Sequence, residues 1–188
     1  ESFKEGTPFD DPNMIGGSGT DTLSGNAGND KLSGEGGGDR LKGGKGHDIL
    51  DGGANGTSGD VWRDLDVAEY NGIEGRYEVF KVGVDTNSMT PGSTTIFDVN
   101  GQIEAFFGSD PIALEGYEVV KSSGTVGSMT TTAYIVGDLL PSSMGGTGND
   151  LLLNVESVQF KESSIDLGLR IERNDWDGDT TNGYDWVD

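Results

Sequence analysis

Between residues 16 and 51 the apolar positions are few and evenly spaced. The chain reads GGSGTDTLS, GNAGNDKLS, GEGGGDRLK, GGKGHDILD, with leucine or isoleucine at the seventh or eighth place of each nine-residue unit. Every unit opens on glycine and carries glycine at its fourth place and aspartate at its sixth. The endings TLS, KLS, RLK and ILD are short strands with one side chain turned inwards. One such strand cannot bury an apolar face alone, so the period predicts strands stacked through tight turns. Two units make one turn of a coil. Units one and three then stack on one side, and units two and four on the other.

Beyond residue 61 the nine-residue period gives way to short runs rich in β-branched and aromatic residues, at 67–70, 77–82, 94–99, 103–107, 117–120, 129–136, 155–160 and 165–171. Gly, Pro, Asn and Ser clusters separate them, and none has the length of a typical helix. The pattern predicts an all-β chain: a short parallel β-roll joined to an antiparallel β-sheet or sandwich. Phe80, Phe97, Phe106, Phe107, Tyr134 and Phe160 are its expected core members. The expected division is a roll over 1–60, a β-rich body over 61–172 and an acidic tail over 173–188, forming one compact domain.

Three stretches modify this picture. Residues 1–15 contain Thr7-Pro8 and Asp11-Pro12 and read as an extended lead-in, with Met14 and Ile15 capping the first apolar layer. After Asp51, Gly52-Gly53 opens a fifth unit that Asp60 closes after a four-residue insertion. Far downstream, GGTGNDLLL at 145–153 fits the nine-residue pattern at every defined position. A lone unit makes no roll, so Asp150 is expected either to dock on an end of the first roll or to form an isolated site.

The glycines allow tight turns and leave carbonyl oxygens bare. A sixth-place carboxylate added to those carbonyls makes an all-oxygen site suited to a hard cation with a flexible shell, which is calcium. The expected ligands are Asp21, Asp30, Asp39, Asp48, Asp60 and Asp150, with the turn glycines Gly17, Gly19, Gly28, Gly37, Gly44 and Gly46. An ion between stacked turns would tie Asp21 to Asp39, Asp30 to Asp48 and, with an open shell, Asp39 to Asp60. In the tail, Asp175, Asp177 and Asp179 supply alternate carboxylates, but Thr180 and Trp186 stand where an EF-hand needs glycine and glutamate. The tail is therefore a looser calcium loop, a calcium-stiffened linker or a plain acidic tail.

A net charge of −21, from 33 acidic against 12 basic residues, disfavours nucleic acid and anionic membranes as partners. Such charge repels itself in a compact fold unless cations neutralise it, so calcium binding is expected to be coupled to folding. Cysteine is absent, which excludes disulfides and thiolate metal sites. No apolar stretch is long enough to span a bilayer, and with Glu1 first and no initiator methionine the chain reads as part of a longer multidomain protein. Enzyme signals are poor. His47 is the only histidine and occupies a variable turn position, where exposure is expected, so no histidine-based triad exists.

The four units resemble the G-G-x-G-x-D-x-U-x nonapeptide of the RTX proteins, with Asn26 and Glu35 replacing the second glycine in units two and three. The resemblance implies a calcium-filled parallel β-roll in a secreted or cell-surface bacterial protein. The segment NVESVQFKESSIDL is similar to the stretch that follows the repeats in many secreted members. In size, front block and β-rich body the chain resembles the peptide-binding domain of large RTX adhesins, which grips the free carboxyl end of a peptide on a target cell. That implies a partly coordinated ion or an arginine as the carboxylate's partner, an open ion near Asp39 and Asp60 or near Asp150, helped by Arg63 or Arg76. Two alternatives stand beside it. One is a carbohydrate-contacting accessory module of a secreted enzyme, such as an alginate epimerase; the other is a structural element folded by extracellular calcium.

Overall fold

A computed structural model describes residues 1–54, 65–99, 101–107, 114–121, 130–140 and 142–167. The repeats fold as a roll whose strands alternate between two sheets. The first sheet takes β1 (Ser2–Glu5), β3 (Asp21–Ala27), β5 (Arg40–Lys45), β7 (Val67–Glu69), β13 (Ser157–Gln159) and β14 (Ser164–Asp166), in that order. The second takes β2 (Met14–Gly17), β4 (Lys31–Glu35), β6 (Ile49–Asp51) and β12 (Asn149–Leu153), all parallel. Units one and three therefore stack as β3 on β5, and units two and four as β4 on β6.

The lead-in is itself a rung. Ser2 to Glu5 pair in parallel with Asp21 to Ser24, and Met14 pairs with Leu32. Met14 packs against the roll core, whereas Ile15 is exposed and caps nothing.

Roll strands turn one side chain inwards. Leu23, Leu32, Leu41 and Leu50 are fully buried in one stack, which Ala68, Leu152, Val155 and Val158 continue. Side chains of neighbouring strand residues point to opposite faces, and this explains a detail of the repeats. TLS, KLS and RLK put polar residues outside, but ILD and LLL put Ile49, Leu151 and Leu153 there, and these are buried in a second core. The outer apolar residue marks where the body lies against the roll.

The body extends the second sheet. β11 (Thr130–Asp138) pairs antiparallel with β12, β8 (Tyr77–Asp85) with β11 and β9 (Thr94–Asp98) with β8. β10 (Tyr117–Lys121) then adds in parallel to β9. Parallel neighbours need a crossover, and here it contains α1 (Gln102–Phe107). Residues 103–107, expected as a strand, are therefore helical. Of the expected core aromatics, Phe80 and Phe160 are buried, Tyr134 is half-buried against the roll core, Phe97 is half-buried and Phe106 is exposed on α1. The Phe107 side chain lies outside the described residues.

Candidate metal centre

Stacking places the sixth-position aspartates in two columns. In one, Asp21 N–H donates to Asp39 Oδ1 at 2.7 Å, Asp39 N–H to Asp66 Oδ1 at 2.7 Å, and Asp66 N–H to Glu156 Oε2 at 2.7 Å. In the other, Asp11 N–H donates to Asp30 Oδ1 at 2.7 Å, Asp30 N–H to Asp48 Oδ1 at 2.8 Å, and Asp48 N–H to Asp150 Oδ1 at 3.1 Å. The detached unit thus docks on the end of the roll. Asp60 lies outside the described residues, and the carboxylate that stacks on Asp39 is Asp66.

Each column uses one oxygen per carboxylate. The second, Oδ2 of Asp30, Asp39, Asp48 and Asp66, is buried with no hydrogen-bond partner. A buried carboxylate oxygen left bare carries a desolvation penalty that a cation removes. Asp11 shows the contrast: its Oδ2 accepts from Thr7 N–H at 2.6 Å and from Thr7 Oγ1 at 3.1 Å, so that turn is closed by the protein itself.

The bare oxygens share a setting. A Cβ built on the first glycine of a unit would collide with Oδ2 of the same unit's aspartate, and at Gly25 and Gly34 it would also lie 2.6 Å from the carbonyl of Gly43 or Gly52 in the next rung. Glycine therefore keeps open a cradle in which a carboxylate oxygen and a backbone carbonyl face each other. Among the described residues no three Asp, Glu, His or Cys side chains converge. A cation held between rungs would accordingly draw on backbone carbonyls, as the turn glycines suggest. Gly28, Gly37, Gly44 and Gly46 have positive φ, whereas Gly17 and Gly19 do not.

Burial is the largest influence on these carboxyls. It raises Asp30 and Asp39 to about 6 and Asp66 to about 8, against stabilising amides, and it also pushes Asp48 and Asp150 up. Burial thus disfavours the charged form of each, and a cation bound at the carboxylate offsets that penalty.

A second ladder runs beside the columns at the fifth position of the units. Asn29 N–H donates to Asp10 Oδ1 at 2.7 Å, His47 N–H to Asn29 Oδ1 at 2.9 Å, and Asn149 N–H to His47 Nδ1 at 3.1 Å. His47 is therefore half-buried rather than exposed, with an edge-on contact to Tyr117. Burial lowers its pKa, and its Nδ1 acts as an acceptor. Replacing His47 by Ala is expected to cost about 1–3 kcal/mol, the penalty for stranding the Asn149 amide. Replacement by Asn, whose Oδ1 can accept the same bond, should cost less. Urea denaturation in saturating calcium measures both, and equal losses would contradict the ladder.

Arg76 is paired with Asp138. Its Nε donates to Asp138 Oδ1 at 2.9 Å, and its Nη2 donates to Asp138 Oδ2 at 2.5 Å and to the Gly145 carbonyl at 3.0 Å. Burial raises the Asp138 carboxyl, but Arg76 and the Thr147 and Leu140 amides overcome that and hold it at about 2. This clamp anchors the start of the detached unit. Arg63, Asp175, Asp177 and Asp179 lie outside the described residues.

Sequence reasoning missed Asp66, Glu156 and Asp11. The signal was present for the first two: Asp66-Val67-Ala68-Glu69 and Glu156-Ser157-Val158-Gln159 repeat the ending of acid, variable, apolar, variable seen in the nonapeptides.

The family model for the RTX calcium-binding nonapeptide repeat (4 copies) matches residues 15–50 and 24–59, under half of the chain. Comparison with curated proteins and with solved structures gave no match. The chain carries RTX repeats and binds several calcium ions through them.

Proposed function

We propose that this chain is the calcium-dependent ligand-binding module of a secreted bacterial RTX adhesin, part of a longer protein at the cell surface, and that it grips the free carboxyl end of a peptide on a target cell. The observation that supports this reading is the continuity of the second sheet. β12 pairs with β6 of the repeats on one side and with β11 of the body on the other. Ions that order the turns therefore fix the register of a body with its own core. A passive calcium-folded cap has no need of that core.

The choice of ligand rests on the resemblance to RTX adhesins. A surface of charge −21 attracts a carboxylate through a local cation. Arg76 is held by Asp138, so a ligand would have to displace that partner. We therefore assign the role to an ion with an open shell.

The test is a binding screen of peptides with free and amidated C-termini, in calcium and in chelator, beside a glycan array. Binding to free-carboxyl peptides in calcium, weakened tenfold or more by amidation, is the expected result. A tenfold loss corresponds to about 1.4 kcal/mol. Glycan binding alone would replace this reading by the accessory-module one, and silence in both by a structural role.

A further inference from the structure

The cradle recurs twice outside the nonapeptides: at Gly6, where Thr7 already satisfies Asp11 Oδ2, and at Gly52, where the carboxylate oxygen is bare. Gly52 opens the interrupted fifth unit, and a Cβ built there would lie 2.5 Å from Asp66 Oδ2 and collide with the carbonyl oxygen of Asn154. In the regular turns the facing carbonyl belongs to the first glycine of the unit stacked in the next rung, Gly52 for Gly34 and Gly43 for Gly25. Here Asn154 supplies it.

Several features fit this segment to the task. Asn154 has a φ of 50°, the left-handed conformation that asparagine tolerates better than most residues. Its side chain is tied down, with Nδ2 donating to Asp51 Oδ1 at 2.7 Å, and Gly53 N–H donates to that same oxygen at 3.1 Å. Gly52 N–H donates to the Leu153 carbonyl at 2.9 Å, holding the two strands in register. Asp66 is fully buried, and its Oδ2 has no partner. Its amide is taken by Glu156 Oε2, so a second carboxylate stands beside it.

We propose that Asp66 Oδ2 and the Asn154 carbonyl, facing each other across the bare Cα of Gly52, hold a further calcium ion at the end of the Asp21–Asp39–Asp66 column. All donors are hard oxygens, one of them a backbone carbonyl, which favours calcium over the smaller magnesium with its demand for octahedral geometry. The ion would staple three segments far apart in sequence, around residues 51–54, 66 and 154–156. It is independent of whatever ligand the body binds.

The experiment compares the wild-type chain with Asp66→Asn by native mass spectrometry at saturating calcium. Asn keeps an oxygen for the Asp39 amide but removes the charge. The expected result is one bound ion fewer in the variant, with the remaining ions retained. An equal ion count in the two proteins would overturn the proposal. Crystals of the wild-type chain with a lanthanide in place of calcium give a test that does not depend on the variant folding. An anomalous peak within coordination distance of both Asp66 Oδ2 and Asn154 O is expected, and its absence there overturns the proposal.

Discussion

Calcium-stripped protein is expected to melt more than about 10 °C below the calcium-loaded form, and the gap should narrow as the pH falls from about 8 to about 5. Each ion bound only by the folded state contributes about 2.7 kcal/mol at a hundredfold excess over its Kd. For a chain of this size about 1 kcal/mol moves Tm by about 2–4 °C, so two ions suffice for the shift. The pH dependence comes from the same carboxyls. Burial raises Asp30 and Asp39 from 3.8 to about 6 and Asp66 from 3.8 to about 8. A carboxyl whose folded value lies above its unfolded one favours the fold when protonated. Without calcium, that stabilisation is complete below about pH 4 and is lost as pH rises through about 6–8. With calcium the ion replaces the proton, and the loss disappears. Thermal melts followed by circular dichroism at several pH values, with and without calcium, measure this. A calcium-stripped Tm that stays flat or climbs from pH 5 to pH 8 would refute the role given to the buried oxygens.

Replacing Gly46 by Ala is expected to destabilise the calcium-loaded protein by about 2–6 kcal/mol. The residue has a φ of 137°, and a Cβ there would overlap the backbone carbonyl of Gly28 in the turn beneath. Unfavourable φ costs a non-glycine residue about 1–3 kcal/mol, and crowding a packed site costs a further 1–3 kcal/mol or so. Backbone lies on both sides of the turn, since Gly46 N–H donates to the Thr147 carbonyl at 2.7 Å. The strain has no flexible side chain to absorb it. Gly75 is the control, because a Cβ there meets nothing within 4 Å and its φ is not positive. Chemical denaturation of both variants distinguishes a turn that requires glycine from one that merely contains it. Equal stabilities would mean that the turns yield.

The parts of the fold set by local chemistry were legible in the sequence. Asp21, Asp30, Asp39 and Asp48 recur every nine residues, so the stacking partners follow from the spacing and the cation class from the oxygen donors that the aspartates and turn carbonyls supply. In the fifth unit the carboxylate that stacks on Asp39 comes later than the glycine pair marks. Asp60 was the first acidic residue after Gly52-Gly53, whereas the residue that stacks is Asp66, and Ala68 is too small an apolar signal to mark its strand. Glu156 differs by one methylene from the aspartate of the repeat, and its glycines are missing, so periodicity did not reach it. Ile103 and Phe106 look like strand residues, but the parallel pairing of β9 and β10 places them in the crossover. His47 was expected at the surface because nothing in its own unit shows that Asn149, 102 residues away, lies against its ring.

The two kinds of rung differ in the length of chain they must close. Asp30 meets Asp48 across 18 residues, whereas Asp48 meets Asp150 across 102. Closure entropy grows with the logarithm of loop length, and the difference is about 1.5 kcal/mol against the long loop. The repeats can therefore assemble on calcium as a local event, and the finished edge of β6 becomes a template on which β12 is laid down. β12 is also the neighbour of β11, which it meets across a short loop, with Tyr134 opposite Leu152 and Gly137 opposite Asn149. The repeats and the β11–β12 pair each close over short loops, so the costly closure is the docking of one on the other, and the ion supply acts on the repeat side of that joint.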